Sequence, residues 1–256
     1  MGTEPVIGTE RVIVLGALSA IGEEASRIHA ESGARLILVG RHEARLDALA
    51  DDLRTRGASD CIEVAMDLAE APDKASAFAD MAAQLEGKID AVYLFYGVLG
   101  DQKRAEQEPG YARDSLTTNF LSAAEWCTAA ANVLEKEDHG VLVVVSSVAG
   151  DRGRQSNYVY GAGKAGLTTL VEGIAHRLAR GKARAVVVKL GFVDTPMTAH
   201  IEKKGVLWAS APAVAAKLVR VARKPSRPVV YIPWFWWLIM LFVRNAPVRL
   251  FHRTRL

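Results

Sequence analysis

Seven short runs of β-branched and aliphatic residues recur along this chain, at positions 12–15, 36–39, 62–65, 91–95, 141–145, 185–190 and 229–232. Most are near-continuously apolar rather than alternating, the pattern of strands buried on both faces. Between them lie alanine-rich segments with helical spacing, such as Ile21, Ala25 and Ile28, closed by Gly33, a residue suited to a helix C-terminus. Strands and helices in alternation predict a parallel sheet covered on both sides, and the right-handed crossover rule makes it a doubly wound α/β fold. Ligands of such folds sit beyond the carboxyl ends of the strands. The 256 residues, 50% hydrophobic, suffice for one core, and no repeat or long linker marks a second domain. Residues 1–232 are therefore expected to form one domain, with 233–256 as an apolar and basic C-terminal extension.

Charge is distributed unevenly. The formal net charge is only +3, yet from Lys203 onward there are eleven Lys or Arg and no Asp or Glu, leaving 21 basic and 29 acidic residues before it. Such an end is built to meet negative charge, on a phosphate-bearing substrate, an anionic lipid or a nucleic acid. No nucleic-acid-binding motif accompanies it, so nucleic acid is not an expected partner. The first ten residues include Glu4 and Glu10 and lack a basic cluster followed by an apolar run, which predicts a cytoplasmic protein. Cys61 and Cys127 lie in separate apolar stretches and read as buried free thiols. His29 and His176 fall in helical stretches with nothing pairing them as ligands, so no metal site is expected.

Two local patterns carry chemistry. Gly16-Ala17-Leu18-Ser19-Ala20-Ile21-Gly22 leaves the first strand and opens the first helix, where unpaired backbone N–H groups and the helix dipole suit a pyrophosphate. About 20 residues further on, an NAD-selective site carries an acid, whereas an arginine accommodates a 2′-phosphate. Here the residues are Gly40-Arg41, which favours NADP(H) over NAD(H); the plain alternative is a solvated arginine at a strand end. The second pattern is Ser147 after an apolar strand, Tyr160 thirteen residues later and Lys164 four beyond that, so that Tyr160 and Lys164 share one helix face. Tyr158 lacks this partner, because Ala162 stands four residues on. Reducing a ketone needs a hydride and a proton, and a tyrosine of pKa ~10 is a reluctant donor or base at neutral pH. A neighbouring ammonium lowers that pKa, and a serine hydroxyl fixes the carbonyl oxygen.

These residues resemble the short-chain dehydrogenase/reductase family over roughly positions 11–197. The first turn is similar to that family's Gly-x-x-x-Gly-x-Gly, with Ala20 in the middle glycine's place. Ser146-Ser147-Val148-Ala149-Gly150, followed by Tyr160-Gly161-Ala162-Gly163-Lys164, resembles its active-site signature. The resemblance implies a single Rossmann-type domain and a catalytic set of Asn119, Ser147, Tyr160 and Lys164. Asn119 would hold a water that relays protons to Lys164. It further implies that Gly16, Leu18, Ser19, Ala20, Ile21, Gly22, Arg41, Asp67, Leu68, Gly97, Tyr160, Lys164, Val193 and Thr195 contact the dinucleotide. Asp67 and Leu68 would lie at the adenine, Val193 and Thr195 at the nicotinamide carboxamide, and Lys164 at the nicotinamide ribose. Two departures mark a narrower subgroup: Leu94-Phe95-Tyr96-Gly97 where the family shows Asn-Asn-Ala-Gly, and Leu190 where it shows proline before Gly191. Residues 192–210 read as a substrate lid.

The stretch Pro233-Trp234-Phe235-Trp236-Trp237-Leu238-Ile239-Met240-Leu241-Phe242-Val243 holds three of the five tryptophans and adjoins Arg244, Arg249, Arg253 and Arg255. The apolar run from Val229 reaches about fifteen residues, short of the ~20 that span a bilayer. It suits either a segment lying at a membrane interface, at the inner face of the cell membrane, or a contact between subunits of a homo-oligomer. Together with Gly150-Asp151-Arg152-Gly153-Arg154 and Thr195-Pro196-Met197, it is similar to reductases that convert decaprenylphosphoryl 2-keto-pentose to the arabinose form. That resemblance implies a lipid-linked ketone as substrate, with Arg152 and Arg154 near its phosphate. The competing expectations are an alcohol or steroid dehydrogenase of the same family and a non-catalytic dinucleotide-binding scaffold at the membrane.

Overall fold

The computed structural model describes residues 9–201 and 205–254; Glu4, Lys203, Lys204 and Arg255 lie outside them. Among the described residues nine strands form, β1 (Arg11–Leu15), β2 (Arg35–Gly40), β3 (Asp60–Ala65), β4 (Ala91–Leu94), β5 (Val141–Ser147), β6 (Arg184–Leu190), β7 (Phe192–Asp194), β8 (Trp208–Ser210) and β9 (Val229–Ile232). Seven of them make one parallel sheet in the order β3-β2-β1-β4-β5-β6-β9. These correspond to the seven apolar runs of the sequence. Their continuous apolarity has a simple cause: along β1, Val12 and Val14 pack into one layer while Ile13 and Leu15 pack into the other, and all four are fully buried.

One face is covered by α1 (Ala20–Ala30), α2 (Glu43–Thr55) and α8 (Ala211–Arg223), through Ala25, Leu46, Leu53, Val214 and Leu218. The other is covered by α3 (Lys74–Gln84), α6 (Ser122–Glu137) and α7 (Tyr158–Leu178), through Phe78, Trp126, Leu134, Leu167 and Val171, and two short helices, α4 (Gln102–Gln107) and α5 (Pro109–Leu116), follow β4. Both thiols are buried and free, as expected from their surroundings. His29 is fully buried and satisfied, its ring nitrogens each 2.9 Å from Glu10 Oε2 and the Tyr93 hydroxyl. Strand order reverses between β1 and β4, and the crevice outside their carboxyl ends is where a doubly wound sheet binds its ligand.

Two features depart from the sequence reading. The expected lid is pinned at both ends, because β7 pairs with β8 as a separate two-stranded ribbon, Phe192 opposite Trp208 and Asp194 opposite Ser210. The C-terminal extension docks on the domain. Its helix α9 (Phe235–Asn245) buries Trp236 and Met240 against Val148, in the turn that follows β5, and a short helix α10 (Val248–Phe251) follows. Trp234, Trp237, Leu238, Leu241 and Phe242, at spacing i, i+3, i+4, i+7 and i+8, stay exposed on the opposite face. Among the described residues no helix is long and apolar enough to cross a membrane.

Candidate active site

The turn after β1 is shaped by close approach. Gly16 adopts φ +88°, open to glycine, and a Cβ there would lie 2.9 Å from the Tyr96 backbone nitrogen. A Cβ on Gly22 would lie 2.7 Å from the Gly16 carbonyl oxygen, so the first turn of α1 packs directly on the strand exit. Ser19 is the N-cap of α1 and accepts from the Gly22 N–H at 3.0 Å. The helix N-terminus thus opens into a cleft of about 570 Å³.

That cleft is lined by Leu18, Ser19, Ala20, Ile21, Arg41, Gly97, Ser147, Tyr160, Lys164, Val193 and Thr195, eleven of the positions singled out from sequence. Gly16 and Gly22 shape the turn behind it without being among its lining residues. Leu68 is buried, and its carbonyl accepts from Trp126 Nε1 at 2.8 Å. Asp67 stands 3.7 Å from the Arg41 guanidinium, an ion pair exposed enough to contribute little. Sequence reasoning missed Arg45, which also lines this end and bonds Glu23 at 3.0 Å and the Leu18 carbonyl at 3.4 Å. Its place one helical turn from Arg41 was the available signal. Phe95 and Tyr96, which stand where the family shows Asn-Ala, form an aromatic part of the wall, and the Tyr96 hydroxyl is held 2.8 Å from Ser122 Oγ.

Small residues bring the catalytic helix into range. A Cβ on Gly161 would meet the Ala149 carbonyl at 2.9 Å, and one on Gly163 would meet Asn119 Cβ at 3.1 Å. Ser146 Oγ donates to the Lys164 carbonyl at 3.0 Å and bonds Thr168 at 2.9 Å, fixing α7 on β5. Asn119 lies in a π-helical turn, Thr117–Leu121, a distortion common at functional sites. Its side chain straps the segment after β4: Oδ1 accepts from the Val98 N–H at 3.0 Å and Nδ2 donates to the Val98 carbonyl at 2.8 Å. Its carboxamide is therefore spent on backbone, and a Cβ on Gly97 would come 2.7 Å from Oδ1 and 3.3 Å from Lys164 Nζ.

Burial raises the Tyr160 phenol, and its hydrogen bond with Ser147 acts in the opposite direction. Burial brings the Lys164 ammonium down to about 8. The Lys164 Nζ donates to the Val145 carbonyl at 3.2 Å and lies 5.9 Å from the centroid of the Tyr160 ring. The acidification expected from pairing Tyr160 with Lys164 is therefore not what prevails in this geometry, where burial is the largest influence and acts the other way. A buried ammonium costs folding free energy, so its retention points to a chemical use.

The profile of the short chain dehydrogenase family matches residues 10–205, about three quarters of the chain. The chain belongs to that family. An uncharacterized oxidoreductase of Streptomyces coelicolor is 32% identical to this chain over 244 residues, 94% of each chain. Another, from Mycobacterium tuberculosis, is 34% identical over 227 residues, 89% of this chain and 90% of the relative. Among solved structures, that of gox2181 superposes with a TM-score of 0.77 over 87% of this chain and 93% of its own, at 22% identity, a likeness of fold. The chain is an oxidoreductase of a family that binds a nicotinamide dinucleotide, and the glycine turn, the helix N-terminus and the cleft fit that group.

Proposed function

We propose that the protein is an NADPH-dependent reductase that converts a ketone to a secondary alcohol, and that the ketone belongs to a sugar linked to a polyprenyl phosphate. The observation that carries the reductase reading is the meeting of Ser147, Tyr160 and Lys164 in one cleft whose other end is the N-terminus of α1. When bound there, the nicotinamide supplies the hydride to the carbonyl carbon. Ser147 Oγ donates to the carbonyl oxygen and holds it. The protonated Tyr160 hydroxyl then donates its proton to the oxygen as negative charge develops, and Lys164 holds the positive charge that stabilises the phenolate left behind. Thr195 and the Val193 backbone line the same end of the cleft and would orient the carboxamide.

Arg41 and Arg45 support NADP(H) over NAD(H), since both guanidinium groups line the end of the cleft reached from β2. Arg41→Ala is expected to weaken NADPH binding roughly 10- to 100-fold, the worth of a charged hydrogen bond, while NADH binding changes little. Cofactor fluorescence titration measures both. Equal losses for the two cofactors would remove the selectivity claim.

A second cavity of about 700 Å³ adjoins the cleft at Tyr160 and provides room for a substrate larger than a simple ketone. The lipid-linked reading draws further support from α9, whose outward face exposes Trp234 at 72%, Trp237 at 55% and Phe242 at 69%, next to exposed Arg244, Arg249 and Arg253. Aromatic side chains flanked by cations, with no acid from Lys203 onward, complement an anionic bilayer surface. The occupant of this face is proposed to be the inner face of the cell membrane. In flotation with phosphatidylglycerol-containing vesicles, the full chain is expected to rise with lipid and the Trp237→Glu, Phe242→Glu double variant to remain behind. Equal partitioning would contradict the membrane reading. So would a lipid-independent oligomer that these substitutions dissociate, which would make the face a subunit contact.

A further inference from the structure

Two arginines follow the turn after β5, and the structure gives them opposite fates. Arg152 Nη1 donates to the carbonyls of Val243, Arg244 and Ala246 at the C-terminal end of α9, and its guanidinium lies 3.8 Å from the centroid of the Phe251 ring. It fastens the C-terminal helices and is not among the residues that line either cavity, against the expectation that it meets a phosphate. Arg154 is spent on almost nothing. Its Nη2 reaches the Val148 carbonyl at 3.3 Å and the Met240 sulfur at 3.6 Å, and its Nε is buried without a partner. Asp151, the acid whose charge reaches it, is committed to Lys189 at 2.5 Å and to the Tyr231 hydroxyl at 2.8 Å.

Three residues on, Asn157 offers the opposite need, an acceptor in want of a donor. It occupies the N-cap position of α7, yet its side chain makes no capping bond, and its Oδ1 is buried without a partner. Arg154, Asn157 and Tyr160 all line both the dinucleotide cleft and the second cavity, at the place where the two meet. A half-buried guanidinium lacking a carboxylate is disfavoured by lost hydration, and burial indeed pulls Arg154 down. A ligand oxyanion would supply both the missing charge and the missing acceptor. Arginine is the side chain that does this with two parallel hydrogen bonds.

We infer that Arg154 forms an oxyanion subsite adjoining the carbonyl position, and that in the substrate it takes the phosphodiester next to the ketone, while the Asn157 Oδ1 beside it is left to accept from a hydroxyl. The inference rests on the reductase reading, because it places the ketone at Tyr160. It makes Arg154 a specificity-determining residue: the enzyme selects ketones that carry an anionic oxygen group close to the carbonyl.

The test uses two synthetic ketones of equal reach, acetonyl dodecyl phosphate, which is charged, and acetonyl dodecyl ether, which is not. Their affinities for the full-length protein saturated with NADP are measured by calorimetric titration below micelle formation. The wild type is expected to prefer the phosphate, and Arg154→Gln to lose roughly 10- to 100-fold on the phosphate while its affinity for the ether is unchanged. Arg154→Lys keeps the charge but not the fork, and is expected to retain part of the preference; it also serves if the glutamine variant folds poorly. Arg152→Gln is expected to leave the preference intact. The absence of a charge preference in the wild type, or equal losses on both ketones, would overturn the subsite. A preference that persists while neither ketone oxidises bound NADPH would leave the subsite standing and overturn the reductase reading instead.

Discussion

Tyr160→Phe is expected to bind NADPH as the wild type does and to reduce a ketone about 10²- to 10⁴-fold more slowly, the usual worth of a positioned general acid. The phenyl ring fills the same buried space beneath the cleft, so the loss isolates the hydroxyl proton. Burial raises that hydroxyl and so favours the form that can donate to a developing alkoxide, while its hydrogen bond with Ser147 acts in the opposite direction. Stopped-flow measurement of bound NADPH oxidation separates the chemical step from cofactor binding. A Phe variant that turns over at the wild-type rate would show that water, not Tyr160, delivers the proton.

The second large effect lies at the junction of α9 with the active-site wall. Trp236 is buried, and a Cβ built on Gly191 would sit 1.8 Å from its Nε1, so the indole rests directly on the backbone between β6 and β7. Its ring also meets Phe192, which lines both cavities, edge-on at 5.5 Å. Trp236→Ala is expected to destabilise the protein by about 3–5 kcal/mol in urea unfolding. Gly191→Ala, which forces the indole aside, is expected to cost about 1–3 kcal/mol. In the Trp236→Ala background the cost at Gly191 is expected to vanish, because the obstacle is gone, giving a coupling of the size seen for residues in direct contact. Strictly additive losses would mean that the two do not meet in solution.

Strands β1 to β6 and β9 were legible in the sequence because a parallel sheet buried on both faces leaves its strands no polar face. That Ser147, Tyr160 and Lys164 line one cleft was legible because their spacing reports a strand end and one helix face, both local facts. What escaped is non-local or too short to carry a period. Strands β7 and β8 have three residues each and pair across a separation of sixteen, Phe192 opposite Trp208, so nothing in either segment announces the other. The C-terminal helix is apolar all round: Trp236 and Met240 bury one face while Trp237 and Phe242 expose another, and composition cannot tell which aromatic faces which way. Arg152 looks like a free arginine beside the site until α9, 91 residues on, is seen to end against it. Asn119 matched a family position, but its carboxamide is spent on Val98, a partner known only once the segment after β4 is placed.

Isotope transfer reads out whether Tyr160 protonates a carbonyl while hydride arrives from a dinucleotide in the cleft. The protein is loaded with NADPH carrying deuterium at the transferring C4 position and mixed with acetonyl dodecyl phosphate in a single turnover. The account predicts an alcohol with one deuterium on the former carbonyl carbon, formed rapidly by the wild type and far more slowly by Tyr160→Phe. NADPH oxidation without deuterium in that alcohol, or equal rates for the two proteins, would contradict it.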